Sequence, residues 1–294
     1  MSVFIFGEAM LEYHGRGGEG LRYGGDTLNT AIHLARAGHD VAYVTALGSD
    51  PISDALIEAW QREGIDTRFV LRHSTHTPGI YAIHLDEQGE RSFLYWRDRS
   101  AARAMFDLPG MDEALAEASE AQLIYFSLIS LAIVDDPGRE RLLNLAASRR
   151  EAGRAVAYDS NFRPALWDSI DDARSVSRRA MAACSIGLPT DTDERELWGA
   201  DTSERAMLDR WAGEGRVVAL KSGEKGCWLS EGRERPLEHL PAEPVEVVDT
   251  SGAGDAYNAG FLSAHLNGKT ARECAQAGQA LARKVIGKMG AIPR

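Results

Sequence analysis

"VDTSGAGDAYNAGFL", residues 248–262, sets three small turn-forming residues ahead of an aspartate and a helix-like run. Gly252, Ala253 and Gly254 can present successive backbone N–H groups at the start of a helix beginning near Asp255, an arrangement that cradles an anion such as phosphate. Asp255 would then stand where an alcohol can lose its proton, with the amides beside it placed to stabilise charge developing on a phosphoryl group. Taken alone, the stretch also reads as a Gly-rich turn with Asp255 as an ordinary first-turn helix residue. The rest of the chain has to choose between the two.

Working outward, short β-branched or aromatic runs alternate with longer helical patterns, the signature of strands joined by helical crossovers around a parallel sheet. Strands are expected at 3–6, 41–46, 123–127, 155–158, 186–188 and 217–220. Between them, "LNTAIHLARAG" and "ISDALIEAWQREG" carry apolar residues at helical spacing and finish at Gly, the preferred residue just past a helix C-terminus. No internal repeat, low-complexity tract or linker interrupts this order. The length of 294 residues suits either two domains or one large α/β domain, and the unbroken alternation favours one doubly wound domain.

Composition narrows the partners. Lys and Arg total 33 against 44 Asp and Glu, a formal charge of -11, which opposes broad binding to nucleic acid or to an anionic membrane. Any anionic ligand must be met by a local pocket. The three cysteines, Cys184, Cys227 and Cys274, are odd in number and scattered, so they suggest neither a disulfide framework nor a zinc site. "VFIFG" opens the chain as a strand without a basic n-region, and "LIYFSLISLAIV" falls short of the ~20 residues of a membrane helix. A cytoplasmic setting fits.

One segment breaks the alternation. "GIYAIHL" and "RSFLYWR" flank "DEQGE" with no helix between them, which predicts a β-hairpin. A turn symmetric about Gln88 would set Tyr81 opposite Tyr95, and side-chain alternation would put Phe93, Tyr95 and Arg97 on one face. Two further glycine clusters differ in promise. "GRGGEG", residues 15–20, has the spacing of a dinucleotide fingerprint, but it neither follows a strand tightly nor opens a helix, so it reads as a loop. "GGDTLNTAIHLARAG" places Gly24 and Gly25 at a turn and Asp26 at a helix start, where Asp26 can cap the helix or, with Asn29, bond the hydroxyls of a ligand.

Together, "GGDTLNTAIHLARAG" and "DTSGAGDAYNAGF" resemble the paired signatures of the ribokinase-like carbohydrate kinases, the PfkB family, in order and separation over essentially the whole chain. Within it, "YVTALG", "PGIY", "GERSFLYWR", "SAAR" and "DSNFRPALW" are most similar to the branch that phosphorylates 2-keto-3-deoxygluconate. The resemblance implies a three-layer α/β/α ribokinase-like fold spanning 1–294, with a mainly parallel sheet and a small β-strand lid from roughly 8–24 and 78–98. It implies ATP-dependent phosphorylation of a sugar hydroxyl, with Asp255 as base and Gly252, Ala253 and Gly254 as anion hole. Gly25, Asp26, Tyr81, Tyr95, Arg97 and Arg163 match sugar-contacting positions, which Asn29 joins. Asn161 matches a position near the nucleotide phosphates, and "KSGEKG", with Lys221, Ser222, Gly223 and Gly226, looks like the strand-to-loop element bordering ATP. The family also implies Mg²⁺, allows a monovalent cation near Asp249, and often assembles as a homo-oligomer.

Chemistry supports a sugar acid as substrate, because a chain of charge -11 would repel a carboxylate unless arginines met it, and Arg97 and Arg163 within the matched motifs are the candidates. The sequence departs from the family where many members carry an Asn-x-x-Glu element. Here Thr190 replaces the Asn and Asp193 keeps the carboxylate, so Asp193 is the Mg²⁺ candidate, although the acidic run would also suit a helix start. Competing expectations are a fructokinase, ribokinase or epimer-specific kinase, and a non-catalytic sugar or nucleotide sensor on the same scaffold.

Overall fold

The computed structural model describes residues 2–14, 22–85, 91–232 and 236–293. The 15–20 loop and the 86–90 hairpin turn expected above lie outside them. The first half of the chain runs β1 (Ser2–Phe6), β2 (Met10–His14), β3 (Arg22–Gly24), α1 (Asp26–Arg36), β4 (Asp40–Gly48), α2 (Pro51–Arg62), β5 (Ile65–Asp66), β6 (Val70–His73), β7 (Gly79–Leu85), β8 (Arg91–Trp96) and α3 (Met111–Glu120). It continues with β9 (Leu123–Ser127), α4 (Leu128–Ile133), α5 (Asp136–Glu151), β10 (Ala155–Asp159), α6 (Ile170–Ala183), β11 (Ile186–Gly187) and α7 (Asp191–Trp198). The last part comprises α8 (Glu204–Trp211), β12 (Val217–Lys221), β13 (Cys227–Ser230), β14 (Glu238–Leu240), α9 (Ala253–Leu266) and α10 (Ala271–Ile286).

The described strands form a ten-stranded sheet, ordered β14-β13-β12-β11-β10-β9-β1-β4-β5 with β6 also on β4, and a separate four-stranded sheet, β3-β2-β7-β8. From β12 to β5 the large sheet is parallel; β13 and β14 add an antiparallel edge. Its strands are apolar on both sides because both sides are covered. Val3, Ile5, Leu123 and Tyr125 enter a core beneath α1, α2, α9 and α10, while Phe4, Phe6, Ile124 and Phe126 enter the opposite core with α3 to α8. This is the three-layer α/β/α architecture, with the helical layers fixed by simple alternation along each strand.

Order along the sheet positions the cleft. The chain leaves β1 toward β4 and β5, then returns to the other side of β1 at β9 and proceeds to β12. The reversal lies between β1 and β9, and in open α/β sheets ligands bind beyond the carboxyl ends of strands at such a switch point. The four-stranded sheet stems from the same place, since β2 follows β1 after three residues and β3 runs into α1. Its β7–β8 pair has Tyr81 opposite Tyr95, the register expected from symmetry about Gln88. Strands β13 and β14 have no counterpart in the sequence reading, and "LIYFSLISLAIV" divides into β9 and the short helix α4.

Candidate active site

Gly252 is the N-cap of α9, which begins at Ala253, two residues earlier than expected. Its φ of 68° lies in the left-handed region, and a Cβ there would meet the Ala291 Cβ at 2.5 Å. Only glycine satisfies both demands. The amide of Ala253 turns back to the Thr250 carbonyl at 3.2 Å, whereas Gly254 and Asp255 lie in the first turn, whose N–H groups have no carbonyl partner within the helix. The first-turn amides of Gly254 and Asp255 are thus left open by the helix, whereas that of Ala253 is not.

Asp255 sits in that turn, and its Oδ2 accepts the Asn29 amide at 2.8 Å. Thr30 bonds the Asp255 carbonyl at 3.3 Å, so α1 and α9 are tied at two points beside the carboxylate. Burial pushes the Asp255 carboxyl up to about 8, reinforced by the charges of Asp26 and Asp159 and opposed by Asn29 and Lys221. A helix N-terminus would ordinarily lower it. Here desolvation and like charges win, and the group is poised to hold or release a proton near neutrality.

Asp26 opens α1, reached from Gly25, whose φ is 145° and whose added Cβ would strike the Glu8 carbonyl at 2.4 Å. The Asp26 carboxylate accepts the Ser127 hydroxyl at 2.5 Å and the Asn161 amide at 3.0 Å. Burial raises its pKa, with Ser127 and the Thr27 amide pulling the other way. Asn161, expected beside phosphates, therefore bonds Asp26, and its own backbone amide reaches Asp159 at 3.3 Å.

A buried charge knot underlies these residues. Lys221, at the end of β12, donates to Asp159 at 3.2 Å and to the Asn258 side-chain Oδ1 at 2.9 Å; the Asn258 side-chain Nδ2 donates to Asp159 at 2.7 Å and to the Tyr125 hydroxyl at 3.0 Å. A Cβ on Gly254 would lie 3.8 Å from the Lys221 ammonium, so the cation sits close under the first turn of α9. Lys221 is expected from the sequence, whereas Asp159, Asn258, Ser127 and Tyr125 are not. Asp159 lay inside the quoted "DSNFR", and Asn258 follows Asp255 at helical i,i+3 spacing, so both signals were present.

The remaining expected residues are distributed around this centre. Ser222 to Gly226 forms a tight turn, with the Ser222 amide on the Gly226 carbonyl at 2.8 Å, and it includes Gly223. Tyr81 and Tyr95 lie side by side with ring centroids 6.0 Å apart. Arg97 is buried and ion-paired with Glu8, itself buried, whereas Arg163 has a half-exposed side chain that donates to the Phe162 carbonyl at 2.6 Å and lies 3.4 Å from Asp193. The two arginines offered for a carboxylate are thus unequal, because Arg97 brings its own counter-ion. Burial pushes the Asp193 carboxyl up to about 6, with Arg163 opposing. Asp249 is committed through both oxygens, to the Ser251 amide at 2.8 Å and the Gly290 amide at 2.9 Å.

The chain belongs to the pfkB family of carbohydrate kinases, whose model matches residues 16–294. It is 40% identical to a 2-dehydro-3-deoxygluconokinase of Haemophilus influenzae, over 99% of this chain and 95% of that protein. It is 39% identical to the 2-dehydro-3-deoxygluconokinase of Dickeya dadantii, covering 99% and 96%. Among solved structures, a PfkB protein from Polaromonas sp. JS666 superposes with a TM-score of 0.84 at 26% identity, over 99% and 97% of the two chains. The aminoimidazole riboside kinase of Salmonella enterica, complexed with its riboside and an ATP analog, superposes at 0.82 with 24% identity over 100% and 96%, a likeness of fold alone. The fold is ribokinase-like and the protein is a sugar kinase, a phosphotransferase that uses ATP.

Proposed function

We propose that the protein transfers the terminal phosphoryl group of ATP to the primary hydroxyl of 2-keto-3-deoxygluconate, also called 2-dehydro-3-deoxygluconate, at the end remote from its carboxylate. The products are 2-keto-3-deoxy-6-phosphogluconate and ADP. The observation that carries this reading is the convergence of the Asp255 carboxyl, its Asn29 partner and the first-turn amides of α9 at the switch point of the sheet. The acceptor oxygen forms its bond to phosphorus as the bond to ADP breaks, and Asp255 takes the hydroxyl proton. The amides of Gly252 and Gly254 meet the charge spread over the transferring group, supported by the Lys221 ammonium beneath them.

Gly25, Asp26, Asn29, Tyr81 and Tyr95 line the sugar side, and Arg163 and Arg97 take the carboxylate, Arg97 sharing its charge with Glu8. Asn161 and the Lys221 to Gly226 turn border the nucleotide. Magnesium suits hard oxygen ligands and commonly takes one or two carboxylates plus phosphate oxygens and water. Asp193, a shielded carboxylate whose one partner among the described residues is Arg163 at 3.4 Å, fits that role, and the ion would neutralise charge on the phosphates. The four-stranded sheet acts as a lid that excludes water during transfer. The side chains of Tyr13, Leu94 and Trp96 are each more than half exposed on this sheet, which supports assembly with a second copy. Three buried free cysteines and the need for ATP support a cytoplasmic location.

A coupled ADP-release assay on sugars and sugar acids tests the reading. Turnover should be greatest on 2-keto-3-deoxygluconate, and Arg163→Ala should raise its KM by about tenfold or more while leaving KM for ATP little changed. Faster turnover of fructose than of the sugar acid would sink it.

A further inference from the structure

We infer that Glu12 is a specificity-determining residue: it takes the one proton of the Tyr81 hydroxyl and so makes the adjoining corner of the sugar site accept hydrogen bonds only. This rests on the sugar-acid reading above.

The parallel pairing of β2 and β7 sets Glu12 beside Tyr81, and the β7–β8 pairing sets Tyr81 opposite Tyr95. Within this row the Tyr81 hydroxyl donates to the Glu12 carboxylate. The row faces the turn before α1. A Cβ built on Gly24 would lie 2.8 Å from the Tyr81 oxygen, 3.5 Å from Glu12 Oε2 and 3.8 Å from Asn29 Oδ1. These three oxygens belong to β7, β2 and α1, so the chain brings them together only by folding.

Their hydrogen-bonding capacity is asymmetric. A phenol has one O–H proton, and an ionised carboxylate can only accept. Burial raises the Tyr81 pKa, and the charge of Glu12 raises it further, so the phenol stays protonated with its proton turned to Glu12. Tyr81 is then left with lone pairs for a ligand. Asn29 has turned its amide nitrogen to Asp255, and its buried Oδ1 has no partner among the described residues. A ligand group entering here must donate, as an alcohol does. A carboxylate or keto oxygen would face lone pairs and negative charge.

This sets the direction of the substrate. Two residues along the same face, a Cβ on Gly79 would lie 2.9 Å from Glu8 Oε1 and 3.2 Å from the Arg97 Cβ, so the Glu8–Arg97 ion pair follows along the strand about 7 Å from the acceptor corner. The acid keeps its hydroxyl-bearing carbons by Tyr81 and its carboxylate by the arginines. A keto acid entering reversed is refused.

Fluorine can replace a hydroxyl but carries no proton, so the test measures kcat/KM for 2-keto-3-deoxygluconate and its 4-fluoro and 5-fluoro analogues. Wild-type protein should lose at least about 10²-fold on one analogue. Glu12→Leu, which returns the Tyr81 proton to the ligand, should shrink that loss to within roughly tenfold, Tyr81→Phe should shrink it similarly, and adding Glu12→Leu to Tyr81→Phe should change nothing more. Equal use of both analogues by wild-type protein, or a full penalty retained in Glu12→Leu with an unchanged melting temperature, overturns the inference. If Glu12→Leu does not fold, Tyr81→Phe decides alone, a retained penalty being the adverse result. Absence of turnover on the parent acid would instead strike the function proposed above, and calorimetric binding of the same three compounds would still report whether the corner demands a donor.

Discussion

As the base proposed above, Asp255 combines two opposed requirements. A base must be ionised to accept a proton, yet burial and the neighbouring Asp26 and Asp159 hold its carboxyl up to about 8. In the free enzyme kcat/KM should therefore fall as pH drops below about 8, with one proton governing the limb. Asp255→Asn should lower turnover roughly 10²- to 10⁴-fold. The same substitution should stabilise the fold. With a folded pKa above the unfolded carboxylate value of about 3.9, the native state binds the extra proton, so its stability is highest below that value and is lost as pH rises toward 8. Asp255→Asn removes this loss. Its melting temperature should match that of the wild type near pH 4 and exceed it at pH 8 to 9, by about 2 to 4 °C for each kcal/mol released. A mutant melting below wild type at pH 9 would contradict the assigned environment.

At the scale of elements, α1 connects both halves of the site. Its first turn supplies Asp26 and Asn29. Farther along, His33 bonds the Ala291 carbonyl at 3.0 Å, and Arg36 reaches the Ile292 and Pro293 carbonyls at 3.2 and 2.9 Å while held by Glu63. The C-terminal segment so fixed packs Ala291 against Gly252 and offers the Gly290 amide to Asp249. The glycine turn at Gly252 is thereby backed by a strut whose other end rests on α1. Gly252→Ala should cost about 1–3 kcal/mol of stability for backbone strain and contact with Ala291. It should also raise KM for ATP more than KM for the sugar acid. Equal rises in both would show that the loop does not act on the nucleotide side.

For the whole molecule, the switch in strand order gathers Glu8, Ser127, Asp159 and Lys221 from four strand ends, while the four-stranded sheet brings Glu12, Tyr81 and Tyr95 from above. No helix among the described residues is long and apolar enough to cross a membrane. The outward row of Tyr13, Leu94 and Trp96 is the exposed apolar surface that assembly would cover. Leu94→Glu with Trp96→Glu should shift the protein toward monomer in light scattering. A wild type that is already monomeric at assay concentrations would remove that part of the proposal.

Local chemistry was legible in the chain itself. The crossover helices follow from apolar spacing, the Tyr81–Tyr95 register from symmetry about Gln88, and the glycine turn into α9 from small residues before a helix, because each depends on residues close along the chain. The pairing of charges was decided only by tertiary structure. Arg97 looks free in sequence, but β1 and β8 carry it to Glu8 across 89 positions; Lys221 and Asp159 meet across 62, and Glu12 and Tyr81 across 69. Burial makes such pairings decisive, since a charge or hydroxyl removed from water must spend its bonding capacity on whatever the sheet order places beside it.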